Sequence, residues 1–228
     1  MADKQLICYG RLTNLLTDAL VESYVAAQQI QVSRDFAPIW GIDAQCVFTP
    51  AGGVVPVGAW QLRFMDHSTE VGDLGFHDDQ GNPIAYVFVA DDIADGCNWC
   101  VTASHETLEM LGDPLCTKTT INGGKEFCWE VCDACEDDRF AYTVEGNDGR
   151  THMLSDFVTP AWFDASAAPP YSFRHNATTA FALAAGGYIG WRVPPDGAWE
   201  QQFAQGLPGR RAINKKPTSR TVRRFSAA

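Results

Sequence analysis

The sequence predicts an α+β protein with a small mixed sheet, one long helix across that sheet, and a loop-rich C-terminal half. Residues Pro83–Ala90 form an apolar, β-branched run that is typical of a buried strand. The segment Val101–Leu111 follows after a short loop and has the apolar spacing of a helix. From Pro160 onward, prolines, glycines and aromatic residues follow one another without a helical or strand period, which indicates irregular structure.

The N-terminal part supplies the remaining elements of this expected layer. Leu12–Gln31 is predicted as an amphipathic helix, because leucines and alanines recur at intervals of three and four. Ala44–Thr49 and Trp60–Asp66 have strand character and are separated by a loop rich in glycine and proline. The stretch His67–Asp79 is polar and rich in glycine. His77 within it can face a cleft, but a surface or core position is the expected one.

Three segments of the second half have a predicted structure. If Glu126–Cys135 is a helix, Glu130 and Asp133 lie on one face of it and can supply a further carboxylate ligand. Phe140–Val144 and Gly149–Asp156 are predicted to pair as a hairpin around a turn rich in glycine, asparagine and aspartate. Val193–Gly209 contains three prolines and is expected to be a linker.

The charge of the chain is distributed unevenly. Its 228 residues predict one domain, residues 1–208, followed by a basic C-terminal arm, residues 209–228. The arm holds seven of the 17 lysines and arginines and no acid, so the rest of the chain has 10 basic against 28 acidic residues, a net charge of −18. Phe181–Trp191, the longest apolar stretch, is too short to span a bilayer, so no membrane association is expected.

The strongest chemical signal is the motif His105-Glu106-x-x-Glu109, which differs at one position from the HExxH signature of zinc hydrolases. Positions i and i+4 share a helical face, so His105 and Glu109 can bind one cation together. Glu106 then lies beside that cation, where a general base for a zinc-bound water belongs. The alternative is an ordinary solvated helix face. The apolar neighbours of the motif and the abrupt helix end at Gly112-Asp113-Pro114 argue against it.

Further carboxylates are available to complete a metal site. Glu130 is the predicted third ligand, and Asp113 or Asp133 is an alternative ligand or an outer partner of the site. Zn²⁺ is the expected ion, since it accepts imidazole and carboxylate ligands. A site of one imidazole and several carboxylates also suits Mn²⁺ or Ca²⁺, which remain alternatives.

Cysteines crowd the same region, and three interpretations of them stay open. Cys97-x-x-Cys100 and Cys132-x-x-Cys135 together have the outline of a four-thiolate zinc site, although their separation is wider than usual. Disulfides that fix the loops around the helix are the second interpretation, and they fit a protein that leaves the cell. Buried thiols are the third.

The motif resembles those of known families over residues 97–164. Glu130, about 20 residues after Glu109 and followed by an acid, is similar to the third-ligand helix of thermolysin-type gluzincins. Gly112, seven residues after His105, is similar to the glycine of the metzincin pattern. The segment Ser104–Pro114 resembles most closely the motif of EXORDIUM-like phosphate-induced proteins and of uncharacterised bacterial and phage proteins. The resemblance implies a zincin-like fold, an active-site-type helix and a metal site.

Two functions follow as expectations. The first is a structural component of a phage-type particle, built on a zincin-like metal-binding scaffold. The second is a metal-dependent hydrolase, a peptidase, with Glu106 as general base. Met1–Arg11 has no apolar core of a signal peptide, so cytoplasmic synthesis is expected, followed in the first case by incorporation into a virion.

The basic arm is the expected contact with other subunits. Exposed ion pairs contribute up to about 1 kcal/mol each. Ordering each residue of the arm on the acidic body costs about 1–2 kcal/mol, so docking on its own body is expected to be weak. Nucleic acid is not the expected partner, because Phe225 is the arm's single aromatic residue and offers no platform for stacked bases.

Overall fold

The computed structural model describes residues 4–69 and 73–204. The first half carries five strands, β1 (Gln5–Arg11), β2 (Ala44–Thr49), β3 (Trp60–Met65), β4 (Gly75–Asp79) and β5 (Pro83–Phe88). The second half carries six more, β6 (Thr119–Asn122), β7 (Lys125–Cys128), β8 (Tyr142–Glu145), β9 (Thr151–Leu154), β10 (Tyr188–Arg192) and β11 (Glu200–Phe203). The α-helices are α1 (Asp18–Ile30), α2 (Ala37–Trp40), α3 (Val89–Asp95) and α4 (Trp99–Gly112). The predicted α+β class is confirmed.

The main sheet has the strand order β2-β1-β3-β5-β4. The strands β2, β1, β3 and β5 run parallel, and β4 pairs antiparallel with β5 at one edge. The register sets His77 opposite Ala85. Because successive side chains of a strand point to opposite faces, Gly75 and His77 share the buried face of β4, while Phe76 points the other way. A histidine in a polar segment is thus directed into the protein.

The helices α1 and α4 lie on one face of this sheet. The helix α1 packs against β1 and β2, and α4 packs against β4 and β5. Tyr9 of β1 touches both helices, through its ring to Tyr24 and through its hydroxyl, 3.1 Å from the hydroxyl of Thr107. The second half covers the other side of α4, where the Ser155 backbone N–H donates to the Ser104 hydroxyl. Covered on both sides, α4 is buried along almost its whole length.

The predicted helices of the first half are present with shifted ends. The helix α4 extends the predicted Val101–Leu111 at both ends, and the Asn98 side chain caps it by accepting from the Cys100 N–H. The helix α1 begins only after Thr17, whose hydroxyl accepts from the Leu20 N–H. The predicted start at Leu12 is therefore wrong, and Leu12 is exposed despite its helical spacing.

Two predictions for the second half are wrong. Glu126–Cys135 is not a helix, because Lys125–Cys128 pairs as β7 with β6 and β10, and only Asp133–Cys135 form a short 3₁₀ turn. Gly123 and Gly124, both at positive φ, make the tight turn between β6 and β7. The predicted linker Val193–Gly209 contains the strand β11, which pairs with β10. The strands β11, β10, β7 and β6, in this order, form a four-stranded sheet.

The predicted hairpin is confirmed as β8 and β9, which pair antiparallel. Tyr142 lies opposite Leu154 at one end of the pair, and Glu145 lies opposite Thr151 at the other. The arm, residues 209–228, lies outside the described residues. No helix within the described ranges combines the length and the apolar character needed to cross a bilayer.

Candidate metal centre

The helix α4 brings two predicted ligands together by its own geometry. His105 and Glu109 are one turn apart, and His105 Nε2 lies 3.1 Å from Glu109 Oε1. Their side chains are 3% and 0% exposed. Imidazole nitrogen and carboxylate oxygen are among the donor atoms that zinc binds in proteins. The i, i+4 pair predicted from the sequence is thus present at a buried position.

Asp133 joins this pair from the second half of the chain. Its Oδ1 lies 3.2 Å from His105 Nε2, and its side chain is 3% exposed. The ligand atoms of His105, Glu109 and Asp133 lie within 4.8 Å of one another. A backbone contact supports the arrangement, because the Cys132 N–H donates to Glu109 Oε1 over 3.3 Å. These three residues form the first ligand group.

Two glycines allow the parts of the centre to approach each other. A Cβ on Gly75 would lie 2.7 Å from Thr102 Cγ2 and 3.1 Å from Glu106 Cγ, so β4 can contact α4 this closely only without a side chain there. A Cβ on Gly187 would lie 2.3 Å from the carbonyl oxygen of Ala134. Gly187 thus lets the chain pass close to the 3₁₀ turn that carries Asp133.

His77 belongs to a second ligand group that the sequence did not indicate. Its Nδ1 lies 3.5 Å from Glu106 Oε2 and 3.6 Å from Glu109 Oε2. The ligand atoms of the three residues again lie within 4.8 Å of one another. His77 is buried, which agrees with the expected core position. The sequence did not predict that His77 lies beside Glu106 and Glu109. The turn signal at Gly81-Asn82, just before the strand Pro83–Phe88, would have indicated a hairpin that contains His77.

Two other predicted ligands, Asp113 and Glu130, are members of neither ligand group. The carboxylate of Asp113 accepts from the backbone N–H groups of Thr117 and Lys118, over 3.1 and 2.8 Å, and so shapes the turn after α4. Glu130 is buried but belongs to neither ligand group. Asp133, three residues later, occupies the position beside His105.

The cysteines do not contribute to either group. Cys100, Cys132 and Cys135 are thiols, so neither Cys-x-x-Cys pair closes into a disulfide. Within residues 4–69 and 73–204, no cluster of three ligand atoms that includes a cysteine, such as Cys97, is present. Burial raises the pKa of the Cys132 and Cys135 thiols well above the usual value, which keeps both protonated near neutral pH.

The acidic surroundings control the charge of His105. Burial alone would lower its pKa, but the charge of Glu109 and the contact with Asp133 outweigh burial and raise the pKa of His105 to about 10. His105 therefore carries a proton at neutral pH in the metal-free protein. A divalent cation has to displace that proton, so binding of the cation releases it.

This protonation predicts a pH dependence of the metal-free protein. The folded pKa of His105 lies above the unfolded value of about 6.5, so its contribution is complete below pH 6.5 and is lost as the pH rises toward 10. In excess chelator, we expect the free energy of unfolding to fall between pH 6.5 and 8.5, by up to about 1.4 kcal/mol per unit. Urea denaturation at several pH values measures this fall in the free energy of unfolding. In His105→Gln the slope should be smaller, with only the contribution of other groups such as the buried Cys132 and Cys135 thiols left, and an equal slope in both proteins contradicts this assignment.

Comparisons of the chain with family models, with curated proteins and with solved structures found no match. The residues of the centre are therefore the guide to its chemistry. Both ligand groups combine an imidazole with carboxylates, a set suited to zinc or manganese. Calcium prefers ligand sets made of oxygen alone, so the two histidines fit it less well.

Proposed function

We propose that this chain is a metal-binding structural protein, in which a divalent cation, zinc first, ties helix α4 to the turn at Asp133. The observation that carries the proposal is the convergence of His105, Glu109 and Asp133 at a buried position. Asp133 is 24 residues beyond Glu109, so one ion would connect segments that are distant along the chain. Such a connection stabilises the folded state, because an unfolded chain does not hold the three ligands together.

Burial of the ligands favours a structural over a catalytic ion. Structural zinc sites are closed, whereas catalytic sites keep one coordination position open to water and substrate. The side chains of His105, Glu109 and Asp133 are at most 3% exposed. The burial of the centre is therefore typical of a structural metal site.

The zincin-like scaffold belongs to the same proposal. Strand β5 leads into the motif-bearing helix α4 through the short helix α3, at the place where a zincin is expected to have a loop. The proposed role is that of a component of a phage-type particle, with the metal stabilising the subunit. The seven cations at residues 209–228 would contact acidic surfaces of neighbouring subunits.

A metal-dependent peptidase is the second candidate, and one observation favours it. Glu106 belongs to the same buried cluster, with its Oε2 3.5 Å from His77 Nδ1, and so lies beside the proposed ion. A bound zinc would act as a Lewis acid there. Glu106 would hold the proton as general base, provided that the centre opens to substrate.

Glu106→Gln distinguishes the two functions. The change removes the base but keeps the size of the side chain, and the ion at His105, Glu109 and Asp133 should remain bound. For the structural protein, we expect no difference in cleavage of unfolded protein substrates between the zinc-loaded wild type and the variant. Chelation should lower the melting temperature of both.

The control for this experiment is Glu22→Gln, an exposed glutamate on α1. Cleavage by the wild type and by Glu22→Gln, together with its loss in Glu106→Gln, would contradict the structural assignment and support the peptidase.

A further inference from the structure

We propose that the centre holds two divalent cations, with Glu109 as a bridging carboxylate between them. The first is the ion of the proposed function, at His105 and Asp133. The second is held by His77 and Glu106. This inference rests on the proposed metal site and extends it from one ion to two.

The two oxygens of Glu109 face different partners. Oε1 lies 3.1 Å from His105 Nε2, and Oε2 lies 3.6 Å from His77 Nδ1. Each histidine is accompanied by a second carboxylate, Asp133 at 3.2 Å from His105 and Glu106 at 3.5 Å from His77. The result is two similar sets of one imidazole and two carboxylates that share one residue. Carboxylate bridges of this kind fit two-metal sites, in which the ions are about 3.5–4 Å apart.

The charge of the cluster is compatible with a second cation. Glu106, Glu109 and Asp133 bring three negative charges into a region where each side chain is at most 3% exposed. Burying a charge without compensation is costly. With two neutral imidazoles, one divalent ion leaves the cluster with a net charge of about −1 and two leave about +1, so the three carboxylates offset most of the charge of either one ion or two.

The backbone holds His77 in place for this role. The antiparallel pairing of β4 with β5 sets the register of His77. Gly75 allows β4 to pack closely against α4 at Glu106. His77 itself is 2% exposed. A buried histidine that the strand pairing places beside two carboxylates is positioned for a cation before the cation binds.

The ion class follows from the donor atoms. Each set has one nitrogen and at least two oxygens, which suits zinc and manganese. Manganese is the useful probe, because two Mn²⁺ ions joined by a carboxylate couple magnetically and give an electron paramagnetic resonance spectrum distinct from that of a single ion.

The test is a manganese titration of the metal-free full-length protein, followed by elemental analysis and resonance spectra. We expect about two Mn²⁺ per chain and a coupled spectrum at saturation. His77→Asn should bind about one ion and lose the coupling. His175→Asn, which changes an exposed histidine in the same way, should bind as the wild type does.

The wild-type measurement keeps the inference testable even if His77→Asn does not fold. About one ion per chain with an uncoupled spectrum would overturn the second site and leave the proposed function standing. No bound ion at all would overturn the proposed function itself.

Discussion

Replacing His105 by alanine is expected to abolish tight binding of the first cation, the one at His105, Glu109 and Asp133, and to remove the stabilisation that this cation provides. His105 is the single imidazole of the first ligand group, and its Nε2 lies within 3.2 Å of both carboxylates. Loss of a mere outer partner of a metal ligand costs roughly 10–100-fold in affinity, so loss of the ligand should cost more. At a metal concentration of about 1,000 times the dissociation constant, the wild type gains about 4 kcal/mol, which the variant should not show.

Differential scanning calorimetry with and without added zinc measures this difference. His67→Ala is the matched control, because His67 is 70% exposed and pairs with Asp91 away from the centre. We expect zinc to raise the melting temperature of the wild type and of His67→Ala by the same amount, and that of His105→Ala by clearly less, because only the group of His77, Glu106 and Glu109 remains there. An equal rise in all three proteins would show that zinc binds elsewhere.

Gly187→Ala is expected to destabilise the fold and to weaken metal binding together. The added Cβ would lie 2.3 Å from the Ala134 carbonyl oxygen, and this oxygen is fixed by the Ala184 N–H that donates to it over 2.9 Å. A backbone group held in this way cannot rotate aside as a side chain does. Overpacking of this kind costs about 1–3 kcal/mol or more, and we expect the upper end of that range. Displacement of the turn also moves Asp133, so the affinity for zinc should fall.

Urea denaturation of the metal-free protein gives the cost in stability, and a zinc titration gives the change in affinity. Gly10→Ala is the control, since its Cβ would meet nothing closer than the Thr49 carbonyl oxygen at 3.9 Å. That change should leave zinc binding unaltered and keep or raise stability by up to about 1 kcal/mol. If Gly187→Ala behaves like Gly10→Ala, the close contact does not position the turn.

The sequence predicted the part of the centre that depends on local geometry. His105 and Glu109 are held one helical turn apart by α4 itself, so their spacing was enough to pair them. The strands Ala44–Thr49 and Trp60–Met65 were likewise evident from local composition. In each case, the pattern along the chain and the environment in the fold agree.

The rest of the centre depends on tertiary contacts that no local pattern records. Asp133 was predicted as an alternative ligand, but on a helix that does not form. The strand β7 and the contact at Gly187 bring it to the site instead. Glu130 and Asp133 could not be distinguished, because the choice depends on where β7 ends. The position of His77 follows from the register of a short polar edge strand, which resembles a loop in sequence.

Metal analysis of the purified full-length protein, paired with its melting temperature before and after chelation, tests the central claim most directly. We predict at least one divalent ion per chain, lost on chelation together with a fall in melting temperature, and both restored by zinc or manganese. A protein that contains no metal, and whose melting temperature is unchanged by chelator, zinc or manganese, would contradict the account.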